Sequence, residues 1–143
     1  MKTPNSNPLP PIQKTLLLDY PIQKVWKTVA TSDGIALWFA KNNFQPIEEH
    51  EFYMDMREPQ GKTDCKVSIV RSPHYLMYKI GKEWEWAFEL QDQGEKTKFT
   101  FIWSGWDANK TTHFGMSHKK IHAQLIDGTK VLMKRLSRSI RKI

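Results

Sequence analysis

The sequence holds one cysteine, Cys65. A lone thiol closes no disulfide within the chain, which fits a reducing, cytoplasmic setting. No apolar run approaches the roughly 20 residues needed to span a bilayer. There is no glycine-rich phosphate loop, no H-E-x-x-H and no cysteine pair, so neither a cofactor nor a metal is expected. His118 and His122 stand four apart on one helix face and could bind zinc with a third ligand such as His113, but neither of those zinc signatures accompanies them. They read as surface or pocket-rim histidines. Cys65 has no recognisable histidine partner and reads as a small buried residue rather than a nucleophile. Glu83, Glu85 and Glu89 alternate on what reads as the solvated side of one strand, where they share no cleft for general acid work. No catalytic residue is expected. A cyclase or hydrolase is the reading with least support.

The chain of 143 residues suits a single domain, and 39% hydrophobic with 26% charged residues is an ordinary globular composition. The formal charge is +7. From Met116 to Ile143 there are eight Lys or Arg and one Asp, while the remainder balances at fourteen of each sign. The excess therefore belongs to the last segment alone. The aromatics lie elsewhere, in strands, so the basic groove with interleaved aromatics that nucleic acid requires is missing, and no nucleic-acid partner is expected. Residues 1–11, with four prolines and no apolar core, read as a disordered leader, and residues 12–143 as the domain.

The organisation follows from hydrophobic period. Ile12 to Leu18 reads as a strand. Pro21 opens a helix carrying Val25, Trp26 and Val29, and a second short helix from about Gly34 to Phe39 carries Ile35 and Trp38. Short strands are expected at Phe44 to Glu48 and Phe52 to Met56. "KVSIV" puts Val67 and Ile69 on one face, and "YLMYKI" follows. In "GKEWEWAFELQ", Trp84, Trp86, Phe88 and Leu90 alternate with Glu83, Glu85, Ala87 and Glu89. "KTKFTFIW" puts Phe99, Phe101 and Trp103 on one face. The period then changes. Ile121, Leu125, Leu132, Leu136 and Ile140 fall at steps of four or seven on a long amphipathic helix, with Gly128 inside it as a close approach to the sheet or a kink. The prediction is α+β, with a meandering antiparallel sheet of six or seven strands and a long C-terminal helix.

Width then argues for a hollow. Seven strands spaced about 4.8 Å apart span roughly 30 Å, whereas a helix with its side chains is about 10–12 Å across. The aromatic face of the strands must be covered, and one helix covers it only if the sheet curls. A curled sheet around a helix leaves either a filled interior or a cavity lined by aromatics.

The stretch "LDYPIQKVWKTVATSDGIALWF", with Pro21, Val25, Trp26, Trp38 and Phe39, and the later "TKFTFIWSGWD", with Ser104, Gly105 and Trp106, resemble the START-like (SRPBCC) superfamily. Within it they resemble the branch named for the activator of Hsp90 ATPase homologue 1. The resemblance implies a helix-grip fold from about Ile12 onward. It also implies a choice among lipid or polyketide binding, aromatase/cyclase chemistry and co-chaperone function. The branch often carries Gly-Trp in its last helix; this chain has Gly128 followed by Thr129.

The expected function is non-catalytic binding of a small hydrophobic or aromatic, lipid- or polyketide-like, molecule between sheet and final helix. Its lining is expected to be Trp38 and Phe39 from the second helix, Val67, Ile69 and Tyr78 from the middle strands, and Trp84, Trp86, Phe88, Phe101 and Trp103 from the aromatic strands. His118, Ile121, Leu125 and Leu132 would complete it from the final helix. Tyr78, Ser104 or His118 would supply the polar contacts. The other reading is a stress-related co-chaperone module, a monomer docking an acidic protein partner through the basic C-terminal helix.

Overall fold

In the computed structural model, which describes residues 6–143, the elements run β1 (Ile12–Leu18), α1 (Ile22–Val29), α2 (Ser32–Trp38), β2 (Glu51–Asp55), β3 (Lys62–Arg71), β4 (Tyr75–Ile80), β5 (Trp84–Gln93), β6 (Lys96–Ser104) and α3 (His118–Ile140). Six strands form one antiparallel sheet in the order β1-β6-β5-β4-β3-β2. α3 packs against β1 and both short helices, and α1 against β5 and β6. This is the helix-grip arrangement, with the fewer of the two expected strand counts. Among the described residues no helix is long and apolar enough to cross a membrane.

Local chemistry sets the boundaries. Pro21 stands one residue before α1 as its cap, with φ −67°. Thr31 caps α2, its Oγ1 accepting the Gly34 N–H at 3.0 Å. Ser117 caps α3, accepting the Lys120 N–H at 3.2 Å. The strand expected at Phe44 to Glu48 does not form. Asn42 Oδ1 takes the Phe44 N–H at 3.0 Å and Asn43 Oδ1 takes the Tyr53 N–H at 2.8 Å, so asparagine side chains replace a ladder there.

Cross-strand register assembles the interior. Tyr78 pairs with Trp86 and Trp86 with Trp103; one row on, Leu76 pairs with Phe88 and Phe88 with Phe101. These are inner-face rows, and all six side chains are buried. Val67 joins the first row opposite Tyr78, but Ile69 does not share its face. Two steps on β3 match one on β4 between Val67 and Ile69, a bulge at Ser68 that sends Ile69 outward opposite Met77 and returns Val70 inward opposite Leu76. A strict alternation read from "KVSIV" cannot anticipate that inserted residue. Gly128 does not interrupt α3, nor does it hold the helix close to the sheet backbone. A Cβ there would meet only Leu125 Cδ2, at 2.9 Å.

Residues 1–5 of the expected leader lie outside the described residues. Its remainder is not free: the Leu9 N–H donates to Trp106 O at 3.0 Å, the Ala108 N–H to Asn7 O at 2.8 Å, and His122 Nε2 to Pro10 O at 2.9 Å. The anchor is Asp107, whose Oδ1 accepts the N–H of Asn109 at 2.9 Å and of Asn7 at 3.1 Å. Proline-rich composition signals no regular structure, but it does not preclude pairing of the few remaining N–H groups with a neighbouring loop.

The Asn109 N–H, followed by the Asn7 N–H and the Lys110 charge, holds the Asp107 carboxyl below its usual range against the opposing effect of burial. A depressed folded-state pKa stabilises above the unfolded value of about 3.9 and stops doing so as pH falls through the folded one. Asp107→Asn is therefore expected to lower the melting temperature at pH 7, with the gap to wild type narrowing as thermal melts move toward pH 3. Gly105 gives a second expectation. Its φ is 96°, and a Cβ would lie 2.3 Å from the Glu83 carbonyl, whereas Gly94, at φ 79°, has open space around it. Gly105→Ala should cost more than about 1–2 kcal/mol, because it adds a collision with backbone to left-handed strain, and Gly94→Ala should cost only the strain. Parallel denaturant melts of the two variants compare them directly.

Candidate functional site: an aromatic cavity at one end of the grip

The two inner-face rows end differently. Toward α1 and α2, the Trp38 indole stacks on Trp86 at 5.9 Å between centroids, packs edge-on to Phe88 at 6.1 Å, and donates Nε1–H to Thr28 O at 2.9 Å. That side is filled. Toward the start of α3 the sheet and helix part, leaving a cavity of about 300 Å³. Trp84 and Trp86 of β5, Trp103 of β6 and Ile80 of β4 form its sheet wall, Phe39 follows from the end of α2, and Ile121, Gln124 and Leu125 descend from the first turns of α3.

Two loops close the mouth. The β2–β3 connection supplies Met56, Arg57, Pro59 and Gln60, and the loop before α3 supplies Phe114 and Met116. Each loop is internally bonded. The Gly61 N–H donates to Arg57 O at 2.7 Å and the Met56 N–H to Gly61 O at 3.0 Å; the Thr112 N–H donates to Met116 O at 2.8 Å and Thr112 Oγ1 accepts the Met116 N–H at 3.1 Å. His113 Nε2 donates to Gln60 O at 3.4 Å and ties the loops together.

Of the expected lining, Phe39, Trp84, Trp86, Trp103, Ile121 and Leu125 meet around this cavity. Trp38, Val67, Tyr78, Phe88 and Phe101 are instead buried in the filled core, Leu132 packs against that core partly buried, and Ile69 is on the other face of the sheet. His118 is neither at the surface nor in the wall. It is fully buried behind Trp84 and Trp106, whose rings lie 5.5 and 5.9 Å from it. Its Nδ1 accepts the Asp107 N–H at 3.3 Å, which leaves Nε2 as the ring's donor, 3.7 Å from Glu83 Oε1. Glu83 is correspondingly drawn inward, with a side chain one-fifth exposed (21%), rather than standing with Glu85 and Glu89 on the outer face. It precedes the strand, in the turn, so the strand's alternation never governed it. The Nδ1 bond ties the start of α3 to the loop before it, while Nε2 is buried with no hydrogen-bond partner among the described residues. His118 presents no open lone pair for proton abstraction.

The loop residues of the mouth were not anticipated, although Phe114 and Met116 are isolated large apolar side chains in the polar stretch "DANKTTHFGMS" and could have been flagged as covers. Arg57 is the one ionisable side chain in the lining. The indole N–H groups of Trp84, Trp86 and Trp103 are buried with no acceptor among the described residues. Tyr78 OH and Thr129 Oγ1, deeper between sheet and helix, are also unpaired, and burial pushes the Tyr78 phenol well above its usual range. Each such group costs about 1–3 kcal/mol when left unsatisfied. Burial pushes the Cys65 thiol up to about 12, which leaves it un-ionised at neutral pH. No cluster of three or more histidine, cysteine or acidic side chains with metal-binding geometry occurs among the described residues.

Comparison with known proteins agrees with this architecture. The protein BH1534 of Bacillus halodurans is 30% identical, with a TM-score of 0.83 over 94% of this chain and 99% of that one. The Aha1 dimer of Colwellia psychrerythraea shares the fold at 18% identity and a TM-score of 0.71, over 92% and 96% of the two chains. DynU16, a putative protein in the dynemicin biosynthetic locus, shares it at 19% identity and a TM-score of 0.73; 94% of this chain aligns, but with only 48% of that one. No curated protein matches the sequence. A family described as activator of Hsp90 ATPase homolog 1-like protein matches residues 19–133, and the chain belongs to that family.

Proposed function

We propose that the protein binds a small, largely apolar aromatic molecule in the cavity beside Trp84, Trp86 and Trp103, and releases it unchanged. The observation that carries this reading is the lining itself: five aromatic rings, from Phe39, Trp84, Trp86, Trp103 and Phe114, around about 300 Å³. That volume is at the small end of ligand sites, which favours a compact ring system over a long acyl chain. Binding rather than turnover is supported by the chemistry of the wall, where Arg57 is the one ionisable side chain and no matched acid and base line the cavity together. The place of DynU16 in a biosynthetic locus is in keeping with a small-molecule guest.

A second reading has its own observation. A groove of about 400 Å³ runs between β1, the edge strand, and α3, floored by Leu16, Leu17 and Met133 and flanked by Lys14, Lys130 and Lys134. An acidic protein partner suits that surface, and the family's Hsp90-activator description makes Hsp90 the partner to try. A pull-down at low salt that recovers nothing removes it.

The cavity reading predicts that titration with a panel of one- to three-ring aromatic compounds changes tryptophan emission and shifts the indole N–H resonances of Trp84, Trp86 and Trp103. Leu125→Trp, placed to fill the cavity from α3, should weaken binding more than about tenfold, or 1.4 kcal/mol, while the far-ultraviolet spectrum stays unchanged. Binding that ignores a filled cavity would place the guest elsewhere.

A further inference from the structure

We infer that the mouth of this cavity selects a guest with a negative charge, that Arg57 reads it, and that the ligand class is therefore small aromatic carboxylates. The inference rests on the cavity reading above and adds the chemistry of the guest's polar end.

Charge placement carries it. The cavity is enclosed by apolar and neutral side chains except at Arg57, and the guanidinium has no ion pair or hydrogen bond among the described residues. The acidic groups nearby do not neutralise it. Asp55 Oδ1 accepts the backbone N–H of Arg57 at 3.0 Å, and Glu58, next in the chain, contributes nothing to the lining. The adjoining surface groove, which shares Gln60, Ile80 and Trp84 with the cavity, is lined by Lys62 and Lys82 against Asp64 and Glu83, two of each sign. The excess positive charge at the entrance is therefore that of Arg57.

Backbone geometry is the second observation. Arg57 has φ 62°, a left-handed conformation that residues other than glycine, asparagine and aspartate seldom adopt. Glycine would fill the same turn without strain, so a long cationic side chain there needs another reason. Strain of this kind is concentrated at sites that hold ligands. The hydrogen bonds from Gly61 and Met56 fix the turn that carries it.

Guanidinium and carboxylate meet in a planar, two-pronged contact. A guest whose ring lies against the Trp84, Trp86 and Trp103 wall has its other end at the loops, one of which carries Arg57.

The test uses 2-naphthoate and 2-naphthamide, which match in shape and differ in charge, titrated into the full chain at pH 7 with tryptophan emission as the readout. The expected result is naphthoate binding about fivefold tighter in 50 mM salt, with the difference shrinking in 500 mM salt. Arg57→Gln should bring naphthoate down to the level of naphthamide, a loss several-fold larger for the charged probe than for the neutral one. Arg57→Lys should restore part of the preference, and melting curves confirm that both variants fold. Equal binding of the two probes to wild type, or a naphthoate preference that survives Arg57→Gln, overturns the charge inference and leaves the aromatic cavity standing. If neither probe binds, the inference falls together with the cavity reading.

Discussion

The fold turns on the position of Trp86. Its indole sits at the centre of the inner face, and six aromatic rings, from Trp38, Phe39, Tyr78, Phe88, Phe101 and Trp103, stand between 4.8 and 6.2 Å from it. Those rings come from α2 and its end and from three adjacent strands. A flat sheet could bring its own rings together, but could not also bring α2 onto them and keep α3 in contact with β1. Covering one broad aromatic surface with narrow helices obliges the strands to curl, and the grip follows from that mismatch of widths.

The same mismatch explains why the interior is filled at one end and hollow at the other. Near α2 the large rings of Trp38 and Phe88 meet edge to face and leave no gap. Near the start of α3 the helix offers Ile121 and Leu125, aliphatic side chains facing three indoles, and the space they leave is closed by loops instead of by helix. The position after Gly128, where a tryptophan is common in the branch that the sequence resembles, is Thr129, small and buried with its hydroxyl unpaired. A helix with modest side chains on its inner face cannot fill a curve drawn by tryptophans.

What could be read from the sequence divides along physical lines. Periods of two and of 3.6 are carried by many residues at once, so β1, the alternation of Trp84, Trp86 and Phe88, and the long α3 were all legible. Features decided by one residue were not. The extra Ser68 reverses the facing of Ile69, and two asparagine side chains dissolve an expected strand at Phe44. Glu83 shares the spacing of Glu85 and Glu89 but belongs to the preceding turn, where the buried His118 draws it in. The cavity shows both cases: its indole wall follows from strand periodicity, while its mouth is made by loops that have no period to read.

That division bears on where specificity resides. The wall is committed to stability, because Trp86 and Trp103 cannot be changed without unpacking the rings that define the fold. The loops carrying Met56 to Gln60 and Phe114 to Met116 hold themselves by their own backbone bonds and touch each other through His113 and Gln60. Their side chains can vary at small cost to the core. On the proposed reading, a change of guest is reached by altering two short loops over a fixed aromatic wall. In this chain, those loops place Arg57, unpaired among the described residues, in the same lining as three tryptophans.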